Sequence, residues 1–226
     1  MPNVPKKKKQ YKPRKGKKTG VSSVPRYSSS PAKFQLAKLV WVGTKEIISA
    51  SGQNTYPIEL QPNNLYDISP DITGTQQSLY RDQMFNLYGA ARVTGYQIDI
   101  ETVATTSSPT DMCLAPFDAG FDTDMNIAKQ RKGSKYNVQN INQRSYIKVY
   151  SSVDNYFGRK KGFTVMDDTS KQVAGIDLMS TNNRCQYEFL VRDMLGTIAV
   201  GTKFLMVTIK VTQYVRFEEP LQVAAS

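Results

Sequence analysis

From Leu205 to Phe217 the side chains alternate in character: Leu205, Val207, Ile209, Val211, Val215 and Phe217 are apolar, and Met206, Thr208, Lys210, Thr212, Tyr214 and Arg216 fall between them. Successive side chains of an extended chain point to opposite faces, so a period of two sustained this long predicts a long strand with one buried face. Gln213 is the single lapse. The same alternation sets Tyr96, Ile98 and Ile100 against Gln97, Asp99 and Glu101, and Cys185, Tyr187, Phe189 and Val191 against Gln186, Glu188 and Arg192. Shorter strands are predicted at residues 36–42, 56–60, 112–116, 146–150, 163–166 and 173–178; Pro57, which has no N–H to donate, puts 56–60 at a sheet edge.

Two segments depart from this rhythm. Tyr80, Met84, Leu87 and Tyr88 recur at helical spacing before Gly89, and a stretch opened by Asp122 closes with Lys129, Arg131, Lys132 and Gly133. Both are predicted as short helices in connecting loops. An all-β core with helices in its long connections, and no core cysteine pair of the immunoglobulin kind, predicts an eight-stranded jelly-roll β-sandwich.

The chain has 226 residues and a net charge of +11. Of its 30 basic residues, eleven precede Phe34, while the first acid is Glu46; the nineteen basic residues that remain equal the nineteen acids. Residues 34–226 are therefore neutral, and the whole excess sits in residues 1–33. That segment, rich in Lys, Ser and Pro, has almost nothing to bury and is expected to be disordered alone. Proteins that bind nucleic acid through a folded surface spread their charge over that surface. Here charge and fold are separate.

The density of unopposed cations predicts sequence-independent nucleic-acid binding by Lys6, Lys7, Lys8, Lys9, Lys12, Arg14, Lys15, Lys17, Lys18 and Arg26, each displacing a counterion from phosphate. Tyr11 and Tyr27 can add stacking. Two clusters, Lys6 to Lys9 and Arg14, Lys15, Lys17 and Lys18, also have the form of a nuclear-import signal, with an import receptor as partner. The bland alternative is a solubility tail, but eleven charges exceed what a neutral domain needs.

An enzyme is not expected. The chain has no histidine, which removes the commonest general base and most zinc sites, and neither a cofactor nor a metal is predicted. Gly196, Gly201, Thr202 and Lys203 superficially suggest a phosphate-binding loop, but Lys and Thr stand in the wrong order and a strand follows. Asp122, Asp124 and Asn126 match the first ligands of a calcium loop, yet Ile127 and Gly133 occupy the positions that need glycine and glutamate; Asp122 is read as a helix cap. Cys113 and Cys185 do not form a disulfide framework, and there is no N-x-S/T sequon, so a reducing compartment is expected. No apolar run is long enough for a membrane span and no apolar segment follows the basic one, so neither membrane insertion nor signal-directed secretion is predicted.

The Lys/Arg arm, the aromatic-rich entry Met84-Phe85-Asn86-Leu87-Tyr88 into a strand at Arg92-Val93, and the ending Tyr214-Val215-Arg216-Phe217 together resemble capsid proteins of circular, Rep-encoding single-stranded DNA viruses, the circovirus-like group. The arm departs from that pattern in being dominated by Lys where many relatives are Arg-rich. The resemblance implies that residues 34–226 form a jelly-roll shell domain whose copies, about sixty in the simplest icosahedral (T=1) arrangement, close around a single-stranded DNA genome. It further implies a virion protein that passes through the host nucleus, with outer loops open to a host-cell receptor. Small satellite RNA viruses share the plan. A cellular nucleic-acid-binding sandwich is the other reading; it requires a basic patch on the folded surface, such as Arg159, Lys160 and Lys161. A carbohydrate- or receptor-binding sandwich is a third.

Overall fold

The computed structural model describes residues 32–72, 77–106, 108–117, 124–140, 143–158, 171–173 and 184–221. The basic arm up to residue 31, the strand predicted at 163–166, residues 174–178, Asp122 and the Arg159–Lys161 patch lie outside the described residues.

The alternating C-terminal run forms β9 (Lys203–Pro220), an interior strand of the first sheet. It pairs antiparallel with β1 (Phe34–Ile48) on one side and β3 (Tyr88–Ala104) on the other, and β3 pairs in turn with β6 (Arg144–Ser152). The second sheet has the order β2 (Thr55–Leu60), β8 (Tyr187–Asp193), β4 (Thr110–Pro116), β5 (Lys135–Gln139), again antiparallel throughout. A two-residue ribbon, β7 (Gln172–Val173), adds to β3 at Ala90 and Ala91. Four strands face four strands, and the chain crosses between sheets at most connections. This is the double-sheet jelly roll expected from the sequence.

The inner faces make the core. Leu39, Trp41, Tyr96, Ile98, Ile100, Val207, Ile209 and Val211 come from the first sheet, and Ile58, Leu60, Met112, Leu114, Phe189 and Val191 from the second; all are buried. Each contributes about 1.5–3 kcal/mol by leaving water. On β1 the Trp41 indole lies over Gly43, the next residue on the same face, where even a Cβ would collide with the ring.

Two irregularities keep the pattern in phase. A bulge at Thr94 lets Val93 and Tyr96 both point inward although they are three apart, and the Thr94 hydroxyl donates to the carbonyl of Tyr214 at 3.0 Å. Gln213, the lapse in β9, is fully buried: its amide donates to the carbonyls of Pro62 and Asn64 at 3.0 and 2.8 Å and accepts from the Ser78 hydroxyl at 2.7 Å. It pins the connection that follows β2 to the sheet.

The described residues include three short helices. Helix α1 (Arg81–Phe85) ends before the predicted Tyr88, which instead opens β3 and packs its ring 6.2 Å from that of Phe217. The burial gained against Phe217 and the pairing of Tyr88 with Pro220 favour strand over helix there. Helix α2 (Met125–Gln130) is capped by Asp124, whose carboxylate accepts from the backbone N–H of Asn126 at 2.8 Å, in the role assigned to Asp122 from the sequence. It places Met125 and Ala128 on Cys113, Ala115 and Leu190, covering the outer face of the second sheet. Helix α3 (Val153–Tyr156), which the sequence reading did not anticipate, follows β6 directly.

Candidate nucleic-acid interface

None of the ten predicted nucleic-acid-binding residues, Lys6 to Arg26, falls among the described residues, which begin at Ala32. What the structure places is the root of the arm. Phe34 opens β1 opposite Glu218, near the end of β9, with the Arg216 guanidinium 4.6 Å over its ring. Arg216 and Arg92 both reach Glu218, at 2.9 and 3.2 Å, so the corner where the arm joins is tied across three strands.

Among the described residues strand β1 is an edge of the first sheet, so Phe34, where the strand begins, lies at the rim of that sheet. Strand register aligns the outward side chains in rows. Lys38 lies beside Tyr214, which is opposite Gly95; Val40, Thr212, Gln97 and Tyr150 form the next row; Val42, Lys210, Asp99 and Lys148 the one after; and Thr44, Thr208, Glu101 and Tyr146 the next. Tyr146 and Tyr150 expose 63% and 66% of their surface, and Tyr150 meets Tyr214 edge-on at 6.0 Å between centroids. Gly95, without a side chain, leaves the gap over which Tyr150 leans; its hydroxyl lies 3.9 Å from where a Cβ would stand.

The three carboxylates of these rows and the row beyond are each held by a cation: Asp99 by Lys148 at 3.5 Å, Glu101 by Arg144 at 3.3 Å, and Glu46 by Lys203 at 2.5 Å. Lys38 and Lys210 have no ion pair among the described residues, and leave this face cationic. The second sheet differs. Its strands turn Glu59, Asp111 and Glu188 outward against one cation, Arg192, and Lys129 of α2 joins Arg192 on the Asp111 carboxylate, at 2.6 and 2.8 Å.

The remaining motifs resolve as structural. Gly196 and Gly201 sit at positive φ, 62° and 82°, in the turn between β8 and β9, and Lys203 is committed to Glu46. In that turn, burial raises the Asp193 carboxyl, but hydrogen bonds from the Ser108 hydroxyl and from the N–H groups of Ile198, Leu195 and Gly196 outweigh it and hold the pKa below the ordinary value. Both cysteines are free and buried on opposite sides of the second sheet: Cys113 under α2, where burial raises its pKa to about 11, and Cys185 in the main core, where burial raises it further. Burial also raises the hydroxyls of Tyr96 and Tyr187, which meet at 3.2 Å beside Cys185. No cluster of three His, Cys, Asp or Glu side chains that could hold a metal occurs among the described residues, and none of their helices is long and apolar enough to cross a membrane. Sequence reasoning did not find the tyrosine and lysine rows, because residues 146–150 read there only as one short strand; the approach of Tyr150 to Tyr214 and the alignment with Lys210 depend on register.

No protein-family model matches the chain, and no curated protein sequence matches it. Among solved structures it is similar to a chain of Desmodium yellow mottle tymovirus, with 13% identity, 98% of this chain and 100% of that chain covered, and a TM-score of 0.40. It is similar also to a chain of cucumber leaf spot virus, at 10% identity with 84% and 59% covered and a TM-score of 0.49, and to one of a semi-empty virus-like particle of Macrobrachium rosenbergii nodavirus, at 10% identity with 85% and 98% covered and a TM-score of 0.43.

Proposed function

We propose that this chain is a viral coat protein: residues 34–226 assemble into a closed shell, and the Lys-rich arm condenses the single-stranded genome inside it. The observation that carries this reading is how unevenly charge is distributed along the chain. Eleven cations without a single acid precede Phe34, and everything after it is neutral in sum. A neutral domain packs against copies of itself without net repulsion, whereas the arm supplies favourable, salt-sensitive contacts to any phosphate chain. The jelly roll is one of the scaffolds that coat proteins use, alongside lectins and cupins, so the fold agrees with the reading without singling it out.

A single-stranded DNA genome is proposed on the sequence resemblance; phosphate neutralisation alone is blind to the sugar. The clusters at Lys6 to Lys9 and Arg14 to Lys18 serve in addition as the import signal that brings the protein to a nuclear assembly site. About sixty arms, eleven charges each, would neutralise roughly 660 phosphates. The test is electron microscopy of the purified chain with absorbance at 260 and 280 nm on the same sample, followed by nuclease digestion of the extracted contents. Closed uniform shells holding DNA are the expected result. Shells holding RNA would reassign the genome, and a soluble monomer that binds nucleic acid would replace the coat-protein reading with a cellular binding protein.

A further inference from the structure

We propose that the solvent face of the β1-β9-β3-β6 sheet is a second nucleic-acid contact, on which Tyr146, Tyr150 and Tyr214 stack bases of a single strand while Lys38, Lys148 and Lys210 meet its phosphates. The inference rests on the packaging function above and adds a site to it: the arm is then one of two contacts, and this sheet face turns toward the genome.

Three observations converge. The first is aromatic exposure: the Tyr146 hydroxyl donates to Glu101 at 3.1 Å and Tyr150 meets Tyr214 edge-on, yet both side chains stay mostly in water. Tyr146 and Tyr150 stand on β6 with Lys148 between them on the same face, about 13 Å apart at the usual strand rise, and most of each ring is in water. Interleaved aromatic and basic side chains are the pattern that holds single strands regardless of sequence, because every base has a face to stack and every nucleotide a phosphate. The second is charge. Four cations, Lys38, Lys148, Lys210 and Arg144, and three carboxylates occupy the rows from Lys38 to Arg144; Lys203, just beyond them, holds Glu46, so each carboxylate has a cation against it and Lys38 and Lys210 are left over. The strands of the opposite sheet face outward with carboxylates in excess and are covered by α2. The second face is occupied by α2 and its basic end, whereas the first presents exposed tyrosines between lysines, the arrangement that suits a single strand. The third is the position of the arm. It enters at Phe34, on the edge strand of this sheet, so a strand of nucleic acid gathered by Lys6 to Arg26 is delivered next to Lys38 and Tyr214.

Binding of a fluorescein-labelled oligothymidylate to the full chain, followed by anisotropy over a range of salt, tests this. The double variant Y146A/Y150A should bind at least tenfold more weakly at every salt concentration with an unchanged salt slope, since stacking releases no counterions. K38A/K210A should instead make the slope shallower, by about 0.7 for each lysine that meets a phosphate. Y136A, equally exposed but on β5 of the other sheet, should bind as the wild type does. Near-UV circular dichroism and the thermal midpoint check that the exposed substitutions leave the fold intact. Wild-type affinity in Y146A/Y150A overturns the proposal, as does an equal loss in Y136A. Wild-type affinity with failure to form shells would overturn it in favour of a contact with a second copy. If the wild type itself does not bind the oligonucleotide, the packaging function falls too, which separates the two failures.

Discussion

Gln213 shows what a single residue does in this sandwich. A polar side chain in an apolar strand face would cost stability if unpaired; here three partners from the β2–α1 connection use all that its amide offers on that side. Gln213→Leu keeps the volume and strands those partners, so urea denaturation should record a loss of about 3 kcal/mol. Its place in the pattern was visible in the sequence as a lapse, but its purpose was not, because Pro62, Asn64 and Ser78 lie far away along the chain. Asp193 makes a prediction about pH. Its folded pKa lies below the ordinary 3.8, so it binds fewer protons in the folded state and stabilises the fold above that pH. The contribution is lost as pH falls through the folded value, and Asp193→Asn should flatten the stability profile in that acid window while leaving its shape near neutrality unchanged. Thermal melts at a series of acid pH values would check it.

Elements differ in how plainly they announce themselves. Strand β9 was legible because burial on one face imposes alternation, and the structure extends it by a few residues at each end of the alternating run. Strand β5 was not, since Lys135, Tyr136, Asn137 and Val138 are all exposed and only Gln139 is buried. Its identity comes from the β4 backbone beside it and from Gln139, which exchanges hydrogen bonds with Thr102 on β3. No local pattern encodes that. Helix α2 was placed from its basic end, but the partner that makes it matter, the outer face of β4 and β8, emerges only in three dimensions. Met125→Ala removes the side chain that fills this contact and should destabilise by about 2–3 kcal/mol, read as a lowered urea midpoint with unchanged slope. Asp124→Ala, which removes only the cap, should cost about 1 kcal/mol.

For the molecule as a whole, the excess charge gathered in residues 1–33 can be altered without a change to either sheet. Replacing Lys6 to Lys9 with glutamine should leave the thermal midpoint of the domain unchanged and weaken single-strand binding most at low salt, with the salt slope reduced by about 3. The uneven distribution of charge is legible in the sequence, because it is a count along the chain; the cationic sheet face is not, because it is a sum across four strands. The topology carries one more consequence, in time rather than space. Among the described residues strand β1 pairs with β9 alone, and Phe34 pairs with Glu218, so the first sheet cannot close until nearly all of the chain exists. At synthesis rates of about 5–20 residues per second, the basic segment leaves the ribosome roughly 10–40 s before its domain can finish folding. The basic segment is therefore made long before the strand that completes the first sheet, an order in time set by which strand comes last.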